Sequence, residues 1–328
     1  MVALSLPRYA ARRALETLVS FFILVSIAFF LFRVMPGDPT AFLLESPRIH
    51  PSVRLLLRQR LGLDRPLYEQ FFIYIGNLLT GELGYSLYYG RPVAELIFGR
   101  RLLNTLALVG SSTAAAIAVG LVLALYSVRR YGSRAESAVT AFSLVTYSIP
   151  TFWLGMLFIM MFSVRLGLFP VGGTVTAVKV HRDLLELAAD YLWHMALPFT
   201  VLTLIQIGYN YLIVRNAMLS ILQEDFVMVA RAKGLPESSV IRRHVFRVAL
   251  PPFATIVGLQ LAGIFTGAVM TETVFSWEGL GRLMYEAVST RDYPLLQGIF
   301  LVVLAAFLVA NYVVDLLYAY LDPRVRYR

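Results

Sequence analysis

Six long runs of apolar residues are the feature that most constrains this chain. Each is long enough to cross about 30 Å of hydrocarbon as an α-helix that rises about 1.5 Å per residue. The runs lie at 14–34, 102–127, 137–164, 196–215, 250–273 and 297–320. Only helices and closed barrels satisfy every backbone hydrogen bond in lipid, and continuous apolar runs are typical of helices. The sequence therefore predicts an all-α, polytopic membrane protein with six transmembrane helices.

The composition agrees with this class and excludes others. Hydrophobic residues make up 58% of the chain, and the mean hydropathy is +0.70. The chain has no cysteine, which excludes a disulfide framework and thiolate chemistry. The net charge of +9 comes from basic residues scattered between the apolar runs. That distribution favours loops beside anionic membrane lipid and argues against nucleic-acid binding.

The distribution of basic residues predicts how the chain is oriented. Short loops and termini on one side hold 15 of the 29 Lys and Arg residues, and short loops on the other side hold five. Because cytoplasmic loops carry the excess of Lys and Arg, we expect a cell-membrane protein with both termini in the cytoplasm. The predicted divisions are 1–34 (N-terminus and first span), 35–101 (external domain), 102–320 (core, with a cytoplasmic loop at 216–249) and 321–328 (cytoplasmic tail).

Local patterns add detail to this topology. Apolar residues at helical spacing predict an amphipathic helix over 66–80 of the external domain. Pro150 lies inside the third span and predicts a kink there. Gly263 and Gly267 in the fifth span form a small-xxx-small pattern, which is typical of close helix packing.

Polar side chains inside the spans are candidates for lining a hydrated substrate pathway, because polar groups in hydrocarbon are costly. The candidates are Gln206, Tyr209, Asn210, Gln260 and Asn311. The alternative is that each forms an interhelical hydrogen bond worth about 1 kcal/mol. Asp315 lies near the predicted cytoplasmic end of the last span, where pairing with Arg324 or Arg326 is expected.

The segment 224–236 (EDFVMVARAKGLP) lies in the predicted cytoplasmic loop between two apolar runs. Helix formers fill 221–233, and Gly234 followed by Pro236 predicts a helix stop. Pro236 is expected in the first turn of a second helix over 237–248. Phe226, Ala230 and Lys233 share one predicted helix face, with Phe226 as an apolar anchor and Ala230 allowing close approach of another protein.

This segment resembles the conserved cytoplasmic loop of binding-protein-dependent ABC importer permeases, in the dipeptide/oligopeptide/nickel branch. The generic loop has Glu before its alanines and an earlier Leu-Pro, whereas this chain has no such Glu and carries Leu250-Pro251. In both departures the segment resembles the dipeptide/oligopeptide/nickel branch of the family. The segments 61–66, 81–86, 272–282 (ETVFSWEGLGR) and 315–324 (DLLYAYLDPR) resemble the same permeases, so the resemblance covers nearly the whole chain.

The resemblance implies a permease subunit that forms half of the translocation pathway for peptides. An external substrate-binding protein would deliver the peptide, and the chain would pair with a second, homologous permease subunit. Two ABC ATPase subunits would hold ATP and Mg, so no cofactor or metal is expected on this chain. The implied ATPase-coupling residues are Glu224, Asp225, Phe226, Ala230, Arg231, Ala232, Lys233, Gly234, Leu235 and Pro236.

The residues themselves indicate no catalytic site. A P-loop needs Gly-Lys followed by Ser or Thr, and neither Lys179 nor Lys233 follows a glycine. The four histidines are not at metal-ligand spacing. We therefore expect a transporter subunit and not an enzyme.

Alternatives remain open for the cargo and the energy source. The same architecture could carry nickel, glutathione or an oligosaccharide. An ion-coupled secondary transporter would need carboxylates in mid-membrane and often inverted repeats, and neither is evident in the sequence. A membrane enzyme would need a clustered nucleophile, base or metal site.

Overall fold

A computed structural model of the protein describes residues 6–34, 65–86 and 88–321. The helices of the first half are α1 (Leu6–Val34), α2 (Leu67–Leu79), α3 (Val93–Phe98), α4 (Arg100–Thr105), α5 (Ser111–Arg129), α6 (Arg134–Ser148) and α7 (Thr151–Phe158). Those of the second half are α8 (Leu184–Ile221), α9 (Asp225–Ala232), α10 (Glu237–Ser239), α11 (Phe246–Gly263), α12 (Val269–Val274), α13 (Leu280–Ser289) and α14 (Tyr293–Leu321).

Short irregular turns connect several of these helices. Turns of π-helix cover Leu106–Gly110, Ile159–Arg165 and Val240–Val245, and a 3₁₀ turn covers Ile264–Thr266. A small antiparallel hairpin pairs β1 (Tyr85–Ser86) with β2 (Arg91–Pro92). The predicted all-α fold class is therefore confirmed for the described residues, apart from this hairpin.

Within the part of the chain that the structure describes, five helical segments are long and apolar enough to cross a membrane. They are Leu6–Phe32, Val93–Arg129, Leu184–Ile221, Phe253–Val274 and Tyr293–Leu316. The predicted third span is instead broken, because the helices Arg134–Ser148 and Thr151–Arg165 meet at an angle of 98°. Pro150 lies at the break, where it lacks an amide hydrogen to continue the helix. If the bent pair counts as one span, the total is the six that the sequence predicts.

The fifth span is also interrupted, and the close approach predicted at its two glycines is present at Gly267 alone among the described residues. A Cβ added to Gly263 would meet nothing within 4 Å. Gly267 has a φ of +72° and breaks the helix before α12. A Cβ at Gly267 would lie 2.7 Å from the backbone nitrogen of Gly281. Glycine is therefore needed at this position for both its conformation and the close approach of α13.

The long helix α8 lies against both α5 and α6. Glycines permit this approach: a Cβ at Gly120 would lie 2.7 Å from Cβ of Asn210, and one at Gly208 would lie 2.4 Å from the carbonyl oxygen of Ser143. On the other side of the bundle, α14 packs against α1 and α11. Small residues at helix contacts bring the backbones close enough for dispersion to hold helices together in lipid.

The predicted helix over 66–80 is confirmed as α2. Its Phe71 packs against three rings of α1, those of Phe22, Phe29 and Phe30. Residues 35–64 of the predicted external domain lie outside the described part of the chain. The domain division stays a prediction, and its boundary at 101 falls within the helical segment Val93–Arg129.

The hairpin is fastened to the start of α14 and to α13. The buried carboxylate of Asp292 accepts hydrogen bonds from Ser86 Oγ at 2.5 Å and from the Tyr88 amide at 3.1 Å. Glu286 accepts from the Tyr89 hydroxyl at 2.5 Å and from Arg101 at 2.8 Å. Burial, with the bond to Glu286, raises the pKa of Tyr89 to about 12. The hairpin is therefore an integral part of the bundle's end.

Candidate functional site

The turn formed by residues 224–236, here the α9 turn, has the helix stop that the sequence predicts. Gly234 has a φ of +76°, and its amide donates to the carbonyl of Arg231 at 2.9 Å. The left-handed conformation ends α9 and reverses the chain. Pro236 lies one position before α10, as its N-cap residue, and not inside the first helical turn as expected. From Glu237 the chain is helical through to Gly263.

The inner face of α9 is built into the core of the bundle. Val227 and Ala230 are buried, in one cluster with Val240 and Ile241 of the following helical segment. The same cluster includes Met218 near the end of α8, and side chains of α5 and α11. Because α9 shares this close-packed core with three long helices, a displacement of α9 is transmitted to them.

The outer face of α9 presents apolar side chains to the surface. Phe226, Met228 and Val229 are 41%, 64% and 54% exposed. The exposed residues among those predicted for coupling are Glu224, Asp225, Phe226, Arg231, Ala232, Lys233, Gly234, Leu235 and Pro236. Arg231 donates to Glu237 at 2.6 Å, and this hydrogen bond lowers the pKa of Glu237 and raises that of Arg231. The result is an apolar surface with charged edges.

The structure corrects one detail of the predicted docking face. Ala230 is only 5% exposed and packs inward, whereas Phe226 points outward. Helical spacing predicts that Phe226 and Ala230 share one face of α9. In the structure the buried face is formed by Val227 and Ala230, and Phe226 lies outside it. Ala230 therefore serves the packing of α9 on the bundle, and Ala232 is the small residue on the outer surface.

Three of the predicted pathway residues form hydrogen bonds between helices. The side chains of Asn210 and Gln260 bond reciprocally, at 2.9 and 3.3 Å, and join α8 to α11. Gln206 accepts from Thr113 of α5 at 3.0 Å. These are interhelical hydrogen bonds of the kind that the alternative interpretation expects, and the assignment of the three residues to a substrate pathway stays a prediction.

Tyr209 and Asn311 are placed differently. Tyr209 is exposed on α8, where its ring lies 5.8 Å from that of Tyr147 on α6. Asn311 is half-buried on α14. Of the five candidates, Tyr209 is therefore the one whose side chain is exposed. Near Asn311, Asp315 lies 3.5 Å from Arg13 of α1; its expected partners Arg324 and Arg326 lie outside the described residues.

Sequence reasoning missed two buried charged clusters. In the first, the buried Glu136 pairs with Arg215 and accepts from Thr140 at 3.0 Å. In the second, Asp190 accepts from Thr176 at 2.6 and 2.7 Å and lies 3.0 Å from His181. For the first cluster the available signal was a charged residue at the end of each apolar run, but sequence spacing alone cannot pair Glu136 with Arg215, which lies 79 positions away.

Metal coordination is not supported by these clusters. Within residues 6–34, 65–86 and 88–321, no group of three His, Asp or Glu side chains is arranged to hold a metal ion.

Fold and site together define a multi-pass helical membrane protein with an exposed apolar helix face outside its spans. Residues 116–327 match the family model of the binding-protein-dependent transport system inner membrane component, and residues 6–108 match the model of the N-terminal region of such components. The chain belongs to this family of inner membrane transport components.

Individual relatives agree with the family assignment. The chain is 37% identical to the di/tripeptide transport system permease protein DppB of Pseudomonas aeruginosa, over 98% of this chain and 99% of the relative. It is 36% identical to the glutathione transport system permease protein GsiC of Escherichia coli K12, over 98% and 99% of the two chains. A solved structure of the MetNI methionine ABC transporter in an inward-facing conformation covers 68% of this chain and 95% of its own, with a TM-score of 0.53 at 18% identity. That likeness concerns the fold alone.

Proposed function

We propose that this chain is the permease subunit of an ABC importer for short peptides. The observation that carries the proposal is the exposed apolar face of α9, whose opposite face is packed into the core. Exposed apolar patches with polar edges are typical of protein interaction sites. Full-length relatives named as di/tripeptide permeases support the same role.

In this proposal the α9 turn binds an ATPase subunit and moves with it. Val227 and Ala230 hold α9 to the ends of α8 and α11, so the turn and both spans move as a rigid lever. A ligand shifts a conformational equilibrium only through different contacts in the two states. ATP and Mg bound on two partner ATPase subunits would supply that difference, while this chain hydrolyses no ATP itself.

The remaining partners follow from the family. We infer a second homologous permease subunit that completes the pathway, and an external binding protein that delivers the peptide. Both termini and the α9 turn would then lie in the cytoplasm, as the excess of basic residues indicates. Among cargoes, glutathione is the main alternative, because a glutathione permease is 36% identical to the chain over 98% of its length.

Crosslinking tests the docking site directly, since the native chain has no cysteine. A cysteine at Phe226 or Val229 should crosslink to an ATPase subunit in the assembled transporter. A cysteine at Tyr131, exposed in the loop between α5 and α6 on the same predicted side, is the matched control. Efficient crosslinks from a cysteine at Phe72 of α2, with none from α9, would refute both the docking site and the orientation.

Reconstitution separates the proposed energy source from an ion gradient. The purified chain alone should hydrolyse no ATP, and peptide uptake should require the ATPase subunits. Uptake driven by a proton or sodium gradient without those subunits would identify an ion-coupled transporter instead.

A further inference from the structure

A cavity of about 1320 Å³ lies between α4, the first turns of α8, the loop 170–177 and residues 276–282. We name it the α4–α8 cavity. It is open on one side and lies at the end of the bundle that carries the segment predicted to be external. Ligand sites typically occupy about 300–1,000 Å³ and combine apolar walls with a few fixed polar groups. The α4–α8 cavity is large enough for a small molecule with side chains of varying size.

The wall of the cavity is held rigidly by Asn104. Its amide donates to the carbonyl oxygen of Glu278 at 2.8 Å and accepts from the hydroxyl of Tyr191 at 3.1 Å. Its backbone carbonyl accepts from the indole of the buried Trp277 at 3.0 Å. These bonds tie together α4, α8 and the loop before α13, so the lining groups are preorganised.

Two opposite charges on this wall have no partner among the described residues. Arg100 lies one helical turn before Asn104 on the same face of α4, and Glu278 is the residue whose backbone Asn104 binds. Both side chains are exposed, and they form no ion pair with each other. By contrast, Arg282 on the same wall is held by Glu286 at 3.0 Å and by the carbonyl of Ser276 at 2.6 Å.

We propose that the α4–α8 cavity binds a short zwitterionic peptide, with its carboxylate on Arg100 and its ammonium group on Glu278. Charge-assisted hydrogen bonds of this kind are the strong ones, and guanidinium matches a carboxylate in shape. The peptide's side chains lie against the apolar lining, which includes Leu103, Leu187 and Tyr191. A site that binds the two charged ends of a peptide, and not its side chains, can accept peptides of many sequences.

Other cargoes of related transporters fit this wall less well. A nickel ion needs clustered imidazole, thiolate or carboxylate ligands, and an oligosaccharide has no charge to match the two ionic groups. Glutathione carries a second carboxylate, for which the wall offers no second unpaired guanidinium among the described residues. This inference rests on the proposed function, because it names the substrate class of a peptide permease.

Cysteine protection tests the site in the assembled transporter. Ala188 is exposed and lines the cavity, whereas its neighbour Ala189 is exposed and does not. We expect alanyl-phenylalanine to slow maleimide labelling of Ala188→Cys and not of Ala189→Cys. Acetylating the amino end or amidating the carboxyl end of the dipeptide should each raise the half-protecting concentration about tenfold or more, since hydrogen bonds to charged groups are worth at least a decade in affinity.

Variants that remove one charge from the cavity then test which residue binds each end of the peptide. In an Arg100→Gln background, amidation should no longer weaken protection; in a Glu278→Gln background, acetylation should no longer weaken it. Arg182→Gln removes an exposed cation that does not line the cavity, and should leave the wild-type pattern unchanged. Unchanged labelling of Ala189→Cys in each variant shows that the helix remains intact.

Three results would overturn the proposal: no protection in the wild-type background, equal protection by a dipeptide blocked at both ends, or protection by peptide-free binding protein alone. The last would identify the cavity as a protein docking surface. Peptide uptake by cells expressing the whole transporter is measured in parallel. Normal uptake without protection at Ala188→Cys refutes this site and leaves the proposed function standing, whereas absent uptake refutes the function.

Discussion

Replacing Gly234 with alanine tests how the shape of the α9 turn serves docking. Gly234 has a φ of +76°, and a Cβ added there would meet nothing within 4 Å. The substitution therefore adds backbone strain and no steric clash. A residue other than glycine in the left-handed region costs roughly 1–2 kcal/mol, which corresponds to a factor of about 5–30 in an equilibrium constant.

The chain provides a matched control for this strain. Gly132, in the loop between α5 and α6, has a φ of +79°, and its added Cβ would likewise meet nothing within 4 Å. Gly132→Ala therefore imposes nearly the same strain on a loop that is not proposed to bind the ATPase. Because the strain is nearly equal in the two variants, any difference in their ATPase stimulation comes from where the strain lies in the structure.

The assay is peptide-stimulated ATP hydrolysis in the reconstituted transporter, titrated with ATPase subunits. Docking selects the native turn, so Gly234→Ala should weaken the apparent affinity for these subunits by up to about 30-fold, in line with the strain of roughly 1–2 kcal/mol. Gly234→Asn should restore part of this loss, since asparagine tolerates the left-handed region. Equal losses in Gly234→Ala and Gly132→Ala, or normal stimulation in both, would refute the reasoning.

Three further outcomes are expected. Asn210→Leu should destabilise the purified protein by about 1–3 kcal/mol, because it leaves Gln260 unpaired. Adding Gln260→Leu should recover part of this loss in a thermal melt. If the two substitutions instead destabilise the protein additively, the two side chains do not stabilise it through a shared hydrogen bond. Glu136→Ala should cost roughly 3–5 kcal/mol because it leaves the guanidinium of Arg215 without its carboxylate partner, measured by denaturation in detergent, and a neutral effect would show that the pair is not buried in solution. A cysteine at Ser46 should react with an impermeant maleimide added outside the cell, whereas reaction only from the cytoplasm would reverse the predicted topology.

The sequence predicts well those features that depend on neighbouring residues. Gly234 ends α9 because glycine alone enters the left-handed region at little cost, and that preference can be read from the sequence letter. Pro150 breaks the third span for an equally local reason. The apolar runs predict most spans for the same reason, since each must satisfy its backbone hydrogen bonds within itself.

Features that depend on which helices meet could not be predicted in this way. α9 has apolar residues on two faces, and only contact with Val240 and Ile241 decides that Ala230 faces inward. Gly267 could equally have marked a packing face or a break, until the approach of Gly281 fixed its role. The bond between Asn210 and Gln260 joins residues 50 positions apart, beyond the reach of periodicity.

The placement of Tyr209 connects the α9 turn with the candidate pathway. Tyr209 lies on α8, the same helix whose end carries Met218 in the core cluster beneath α9. Its neighbour Asn210 is buried and bound to α11, the other helix joined to the turn. We expect a tilt of α9 to move α8 and α11 together while their polar contact holds. Glu136 of α6 pairs with Arg215 of α8, and Thr140 of α6 bonds to Tyr211 of α8. Because these bonds join α6 to the same helix, the rings of Tyr147 and Tyr209 should move with the α9 turn as one unit.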